Sequence, residues 1–359
     1  MKKIVALLLL VCVMLSGCGN WLNGSYSSVE PHTEPSNQNE RPVISVSNYK
    51  ELRAALVSLV ESGAESGILS NLYPVADRAR IDVPTAVRDI CENNPYAAYA
   101  VEEIQYDFGS NGGRNAISVQ ITYLQNRMQT DKIQRVTTLE QLQSIVSEHL
   151  DACDAGVVLY FNNPEQVDYA QMVADYALLY PQRVMESPEV TVNLYPEQGE
   201  EQIVELKFTY RTSRQVLRNL QKQVELAFAS ASQKVAGPWT DTEKAQRLYD
   251  FLMERYDYNI QASITPAYSL LLHGVGDNQA FAMVYAAMCR QADVNCEVVT
   301  GTHLGEPWVW NAIQIDGTFY HLDLLRCEEE NGFRLYSRDE MGDYVWDYSA
   351  YPNVQAENS

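Results

Sequence analysis

Apolar positions along the chain fall into an order of elements that occurs twice. Leu52, Leu56 and Val60 recur at intervals of four, which sets them on one face of a helix. Leu142, Val146 and Leu150 repeat that spacing at a constant offset. The lead-in is matched as well: Val46-Ser47-Asn48-Tyr49-Lys50-Glu51-Leu52 parallels Val136-Thr137-Thr138-Leu139-Glu140-Gln141-Leu142, with a Ser/Asn or Thr placed to cap each helix. A short apolar run follows in each copy, Gly67-Ile68-Leu69 and Gly156-Val157-Val158-Leu159, then a helical stretch and a hairpin. In the first hairpin Ile104, Tyr106 and Phe108 alternate before a turn at Gly109 to Gly113, and Ile117, Val119, Ile121 and Tyr123 alternate after it. In the second, Val190, Val192 and Leu194 precede Pro196-Glu197-Gln198-Gly199, and Val204, Leu206, Phe208 and Tyr210 follow. Period-two runs around Gly-rich turns predict antiparallel hairpins. The pattern therefore predicts an internal repeat: two α/β units with β-hairpins, at 46–134 and 135–212.

Beyond them the period lengthens. Val216, Leu217, Leu220, Val224, Leu226 and Ala227 predict a long helix over Ser213 to Val235, stopped by Gly237-Pro238. Thr240-Asp241-Thr242-Glu243 is a capping-box pattern, opening a helix that buries Ala245, Leu248, Leu252 and Tyr256. The last domain is expected over 213–352, with a tail at 353–359.

Composition bounds the partners. The 359 residues are 46% hydrophobic and 20% charged, which is ordinary globular usage with room for two or three cores. A net charge of -21 argues against nucleic acid, because phosphate binding needs clustered Lys and Arg, and against adsorption to anionic lipid heads.

The first residues change the compartment. Lys2 and Lys3 precede an apolar run from Ile4 to Leu15, too short to span a bilayer, and Leu15-Ser16-Gly17-Cys18 forms a cleavage box. Residues 1–17 are expected to be a lipoprotein signal peptide. It resembles bacterial lipoprotein leaders, which implies lipidation of Cys18 and a membrane-anchored, extracytoplasmic protein; an ordinary secretory leader with a chance Cys is the plainer reading. Residues 18–45, rich in Ser, Asn, Glu and Pro, read as a flexible tether, about 25–30 Å in root-mean-square reach. Cys91, Cys153, Cys289, Cys296 and Cys327 remain, an odd and scattered set. Cys296 and Cys327, both expected near strands of one sheet, either pair or stay as buried thiols. No spacing suggests a metal site, and no cofactor is implied.

The densest pattern runs from Gly274 to Asp323. It reads Gly274-Val-Gly-Asp-Asn278-Gln-Ala280-Phe281-Ala282, then Trp308-Val-Trp310-Asn311, then Phe319-Tyr-His-Leu-Asp323. This order resembles the transglutaminase-like superfamily, in which a Gly-rich turn leads to a Cys at a helix start, a strand pair carries His-x-Trp-Asn, and an Asp follows. The resemblance covers about 213–352 and implies an α+β fold of papain-like, cysteine-protease type. It also implies a chemistry: a thiolate lowered in pKa by the helix N-terminus, a His that takes and returns the proton, and an Asp that fixes the His tautomer. The family uses that set to cleave amides or to pass acyl groups from glutamine to amines. Matched residue by residue, Asn278 stands at the Cys position, Trp308 at the His position, and only Asp323 is kept. An amide is a poor nucleophile, and an indole N–H donates but does not accept. The resemblance thus implies a pseudoenzyme with no catalytic residue. Cys289 lies on the same predicted helix but about 16 Å along its axis, too far to substitute. The plainer readings are that Asp277 or Asn278 caps the helix Gln279 to Gln291 and that Trp308 fills the space a His would take.

Two functions remain open. One is a catalytically degenerate lipoprotein that binds a peptide or cell-wall glycan in a groove of Tyr268, Trp308 and Trp310, with Phe281 nearby, or that acts as a scaffold; Trp310 and Phe281 also suit a core. The other is a cell-envelope hydrolase acting through a non-standard site, for which Asp316 and Asp323 are the available carboxylates.

Overall fold

The computed structural model describes residues 44–162, 164–259 and 267–351. The expected leader, Cys18, most of the tether and the tail lie outside the described residues.

The first unit opens with β1 (Ile44–Val46), two residues inside the segment expected as tether. Helix α1 (Tyr49–Glu61) follows because Asn48 accepts the Glu51 N–H and Leu52, Ala55, Leu56 and Val60 share a buried face. Next come β2 (Ser66–Asn71), α2 (Ala76–Asn93), α3 (Pro95–Ala100), β3 (Val101–Asn111) and β4 (Arg114–Tyr123). The sheet order is β1-β2-β4-β3, with only the β1–β2 pair parallel. The turn is tighter than the expected Gly109 to Gly113. Strand pairing continues to Asn111 and Arg114, and Gly112 and Gly113, at φ 59° and 76°, form a two-residue connection whose backbone suits glycine. Leu52, Leu56, Leu69, Ile90 and Ile117 are completely buried between helices and sheet.

The short α4 (Arg127–Thr130) leads to the second unit. It contains β5 (Gln134–Val136), α5 (Leu139–Asp151), β6 (Gly156–Asn162), α6 (Tyr169–Leu179), β7 (Glu189–Tyr195) and β8 (Glu201–Thr209). Thr138 caps α5 by accepting the Gln141 N–H. The order β5-β6-β8-β7, again with only the first pair parallel, is the same as in the first sheet. Leu142, Leu159, Val204 and Leu206 form its core. Aromatic rings join the units: Tyr96 stacks on Tyr160 at 5.8 Å and Tyr99 meets Tyr195 edge-on at 5.3 Å.

Helix α7 (Arg214–Lys234) carries the chain into the last domain. Its buried stripe of Leu217, Val224 and Phe228 shares a core with Cys153 and Met185 of the second unit and with Ala280, Phe281 and Val284 of the last. Helix α8 (Asp241–Met253) starts at the full capping box of Thr240 and Glu243. Two short parallel strands, β9 (Asp257–Tyr258) and β10 (Val275–Gly276), then bring the chain to α9 (Asn278–Gln291). Every residue of α9 from Ala280 to Cys289 is buried, so this helix is the domain's central element. It packs on the antiparallel sheet of β11 (Cys296–His303), β12 (Glu306–Ile315), β13 (Thr318–Leu322) and β14 (Tyr344–Trp346), ordered β13-β12-β11-β14. Asn311 of β12 locks helix to sheet by donating to the Ala282 carbonyl at 2.9 Å. Helix α10 (Leu324–Glu329) follows β13.

The five described cysteines are all free thiols, so of the two alternatives for Cys296 and Cys327 the structure has buried thiols rather than a pair. Cys327 lies on α10 rather than on a strand, where its thiol donates to the Arg334 carbonyl at 3.3 Å. Cys296 instead neighbours Cys289, and burial pushes its thiol well up. Among the described residues no helix is long and apolar enough to cross a membrane.

Candidate functional site

Asn278 is the first residue of α9, and the element before it explains how it gets there. Gly276 in β10 is hydrogen-bonded to Asn259, and the chain then turns into the helix through Asp277. A side chain at Gly276 would lie 2.9 Å from the Ala280 Cβ, so the close approach of turn and helix needs glycine. Asp277 is the cap: its Oδ1 accepts the Ala280 N–H at 2.8 Å. That leaves the Asn278 side chain free of capping. Its Nδ2 points across to the Val309 carbonyl at 3.5 Å, at the limit of a hydrogen bond.

Trp308 lies on β12, next to Val309 and opposite Gly301 of β11. Its indole Nε1–H donates to Asp323 Oδ2 at 2.7 Å. Asp323 sits at the start of α10 and is 2% exposed. Its Oδ1 caps that helix, accepting from Leu325 at 3.1 Å and Arg326 at 3.3 Å. Its Oδ2 also accepts the Tyr344 hydroxyl at 2.7 Å. A buried carboxylate is tolerable when donors converge on it, and four do so here. Tyr344 is held as a phenol: burial raises its pKa first, and the Asp323 charge raises it further.

The structure thus brings Asn278, Trp308 and Asp323 to one place, where the start of α9 faces the β11–β12 pair. Chemically the three positions supply an amide, an indole donor and a carboxylate acceptor; none is a thiol or a basic nitrogen.

Aromatic rings surround the group. Tyr258 of β9 stands 6.4 Å from the Trp308 ring. Burial raises its phenol pKa, with the Asp277 and Asp323 charges adding to it. His303 lies 5.7 Å from Trp308 and stacks on Tyr344 at 4.1 Å with planes 12° apart. Sequence reasoning missed Tyr258 and Tyr344. Each sits in a strand of two or three residues, too short for any period to mark it.

The expected groove is not assembled as proposed. Trp310 is fully buried, donating to His321 Nδ1 at 3.0 Å and touching Trp346 edge-on at 5.6 Å. Phe281 is also core. Trp308 and Trp310 share a face of the sheet, and Trp310 is the one enclosed by the rings of His321, Tyr344 and Trp346. Tyr268 is half-buried and packs on His273 at 4.6 Å. Of the three expected groove residues, Trp308 and Tyr268 keep partial exposure and Trp310 does not. Asp316 and Asp323 do not form a pair: they stand at opposite ends of β13, Asp316 in an exposed turn and Asp323 buried. Among the described residues no three His, Cys, Asp or Glu gather to hold a metal.

The turn–helix–strand pair–Asp order now has its match. A family profile described as the transglutaminase-like superfamily fits residues 229–324, from α7 to the first residue of α10. This region is a transglutaminase-like domain. Asn278, Trp308 and Asp323 all fall inside it. Three solved structures resemble parts of the chain. One is a TGase, at 8% identity and TM-score 0.27, covering 60% of this chain and 63% of its own. One is a candidate cysteine protease of Cytophaga hutchinsonii, at 15% identity and TM-score 0.27, covering 46% and 68%. One is a candidate protease of Parabacteroides distasonis ATCC 8503, at 10% identity and TM-score 0.23, covering 61% and 35%. The chain therefore spans under two thirds of the TGase and about a third of the last. No curated protein sequence matches it.

Within the transglutaminase-like domain the indole of Trp308 donates its one N–H to Asp323 and has no second nitrogen to accept a proton.

Proposed function

We propose that this chain is a membrane-anchored extracytoplasmic lipoprotein whose transglutaminase-like domain is catalytically degenerate and binds a peptide or cell-wall glycan without turning it over. The observation that carries the reading is the Trp308–Asp323 hydrogen bond at 2.7 Å. It commits the one retained triad member to an indole, which accepts no proton, while Asn278 offers an amide where attack would need a thiolate. Losing two members of such a set removes the covalent route. Half-exposed Trp308 with Tyr258, exposed to 39%, offers ring faces to a sugar or an extended peptide. Lipid on Cys18 would hold the domain at the membrane through the tether, and the matched strand orders of the first two sheets support their origin by duplication. A scaffold role within a membrane assembly is the variant in which the rings contact protein.

The runner-up, a cell-envelope hydrolase with a non-standard site, has one foothold: His303, an imidazole 5.7 Å from the Trp308 ring. Incubating the purified full chain with muropeptides separates the readings. Retention of muropeptides by the chain, weakened by W308A and with every mass unchanged, is the expected result. New cleavage products that disappear with His303→Ala would establish the hydrolase instead.

A further inference from the structure

A second cleft lies away from the degenerate site, where α5, α6, α7 and α9 meet. It encloses about 650 Å³. Three arginines line it: Arg183 after α6, Arg218 on α7 and Arg290 on α9. They surround one opening, because they share partners in pairs. Arg183 and Arg290 both approach the Tyr180 ring, at 5.6 and 5.3 Å. Arg183 and Arg218 both bind Asp151, one at Oδ2 at 2.6 Å and the other at the carbonyl oxygen at 2.8 Å.

The way each guanidinium is held matters. Arg218 donates through Nη1 to the Asp151 carbonyl and to Gln221 Oε1, and Arg290 donates through Nη1 to the Leu179 carbonyl. Both carbonyls belong to the last residues of helices, α5 and α6, so the arginines act as clasps on helix C-termini. Among the described residues neither Arg218 nor Arg290 lies in an ion pair with a carboxylate, and neither has a hydrogen bond through Nε or Nη2. Those two nitrogens form the fork that meets an oxyanion with two parallel bonds. Glu225 also lines the cleft, and Asp151 already pairs with Arg183, so the forks left to meet a ligand are those of Arg218 and Arg290. The cleft thus offers two guanidinium forks for an anionic group.

We propose that this inter-domain cleft binds a small anionic ligand, with Arg218 and Arg290 gripping its oxyanion. The oxyanion is a carboxylate or a phosphate. The site lies where the second unit meets the transglutaminase-like domain.

Calorimetric titration of the full chain tests this with three probes: inorganic phosphate, an N-acetylated dipeptide with a free carboxylate, and the same dipeptide as its C-terminal amide. Saturable binding of phosphate identifies a phosphate ligand, and saturable binding of the free dipeptide identifies a carboxylate one; the amide is expected not to bind. R218K and R290K keep the charge and lose the fork, and each should weaken binding at least tenfold. Binding by neither anion, or equal binding by the wild type and both lysine variants, overturns the proposal. The lysine variants also guard against misfolding, since a positive charge remains to clasp each helix end; an unchanged thermal midpoint makes their affinities readable.

Discussion

The indole of Trp308 and the carboxylate of Asp323 are joined by a 2.7 Å hydrogen bond, and the same oxygen accepts the Tyr344 hydroxyl at 2.7 Å. Asp323 is thereby a structural hub: it caps α10, anchors β12 and pins β14. That role requires no imidazole.

Removing either donor should therefore cost stability. W308F keeps a ring and deletes one hydrogen bond to a buried carboxylate, so it should destabilise by about 1.5–3 kcal/mol in urea unfolding, and Y344F by a similar amount. D323A removes the hub from all four donors and should exceed either single change. The double variant W308F/Y344F should depart from additivity, because both groups serve one oxygen. Additive losses within about 0.3 kcal/mol would show that the two donors act independently.

The start of α9 separates capping from chemistry. D277A should destabilise by about 1 kcal/mol, the usual loss of an N-cap. N278A should stay within about 0.5 kcal/mol, because its one contact, at 3.5 Å, is marginal. A reversed order in thermal or denaturant unfolding would mean that Asn278 carries the helix start.

His321 predicts an acid limb. Burial lowers its pKa to about 4, and its Nδ1 accepts from Trp310, so it folds as a neutral ring. The unfolded chain binds a proton near pH 6.5, while the folded chain does so only near pH 4. Stability contributed by this residue is present above about pH 6.5 and falls as pH drops toward 4, by roughly 3 kcal/mol in total. His321→Asn keeps an acceptor for Trp310 and should remove this part of the slope. Equal pH profiles for wild type and variant between pH 4 and 6.5 would contradict the assignment.

Gly301 sets how closely β14 approaches β11. A Cβ there would lie 2.2 Å from the Val345 carbonyl oxygen and 2.9 Å from Trp310 Cη2. G301A should cost at least about 3 kcal/mol, or release β14 from the sheet. Circular dichroism and urea unfolding report the first effect, and amide exchange at Tyr344 to Trp346 reports the second. A variant as stable as wild type would mean that the strand shifts at no cost.

Much of the framework was legible in the chain. Spacing of four marked α1 and α5, alternation marked both hairpins, and Thr240 with Glu243 marked the start of α8, because each signal is local and repeats over several residues. The convergence of Asn278, Trp308 and Asp323 followed from motif order rather than periodicity. What escaped depended on tertiary placement. Trp310 resembles Trp308 in sequence and lies on the same side of its strand, yet the rings of His321, Tyr344 and Trp346 enclose Trp310. Tyr344 and Tyr258 sit in strands too short to carry a pattern. Cys296 and Cys327 were expected near strands of one sheet, but the second lies on a helix, and a helix–strand shift of a few residues is beyond what spacing resolves. The Arg183, Arg218 and Arg290 cleft draws on three distant segments, and nothing in their local sequence links them.

The central proposal, that the transglutaminase-like domain is catalytically degenerate, is addressed directly by one assay: turnover of a glutamine-containing peptide with a primary amine by the purified full chain, with and without iodoacetamide. The predicted result is no amide cleavage and no amine transfer in either case, since Asn278 and Trp308 supply neither nucleophile nor base. Turnover that iodoacetamide abolishes would contradict it, because a thiol and its proton acceptor would then be at work in this domain.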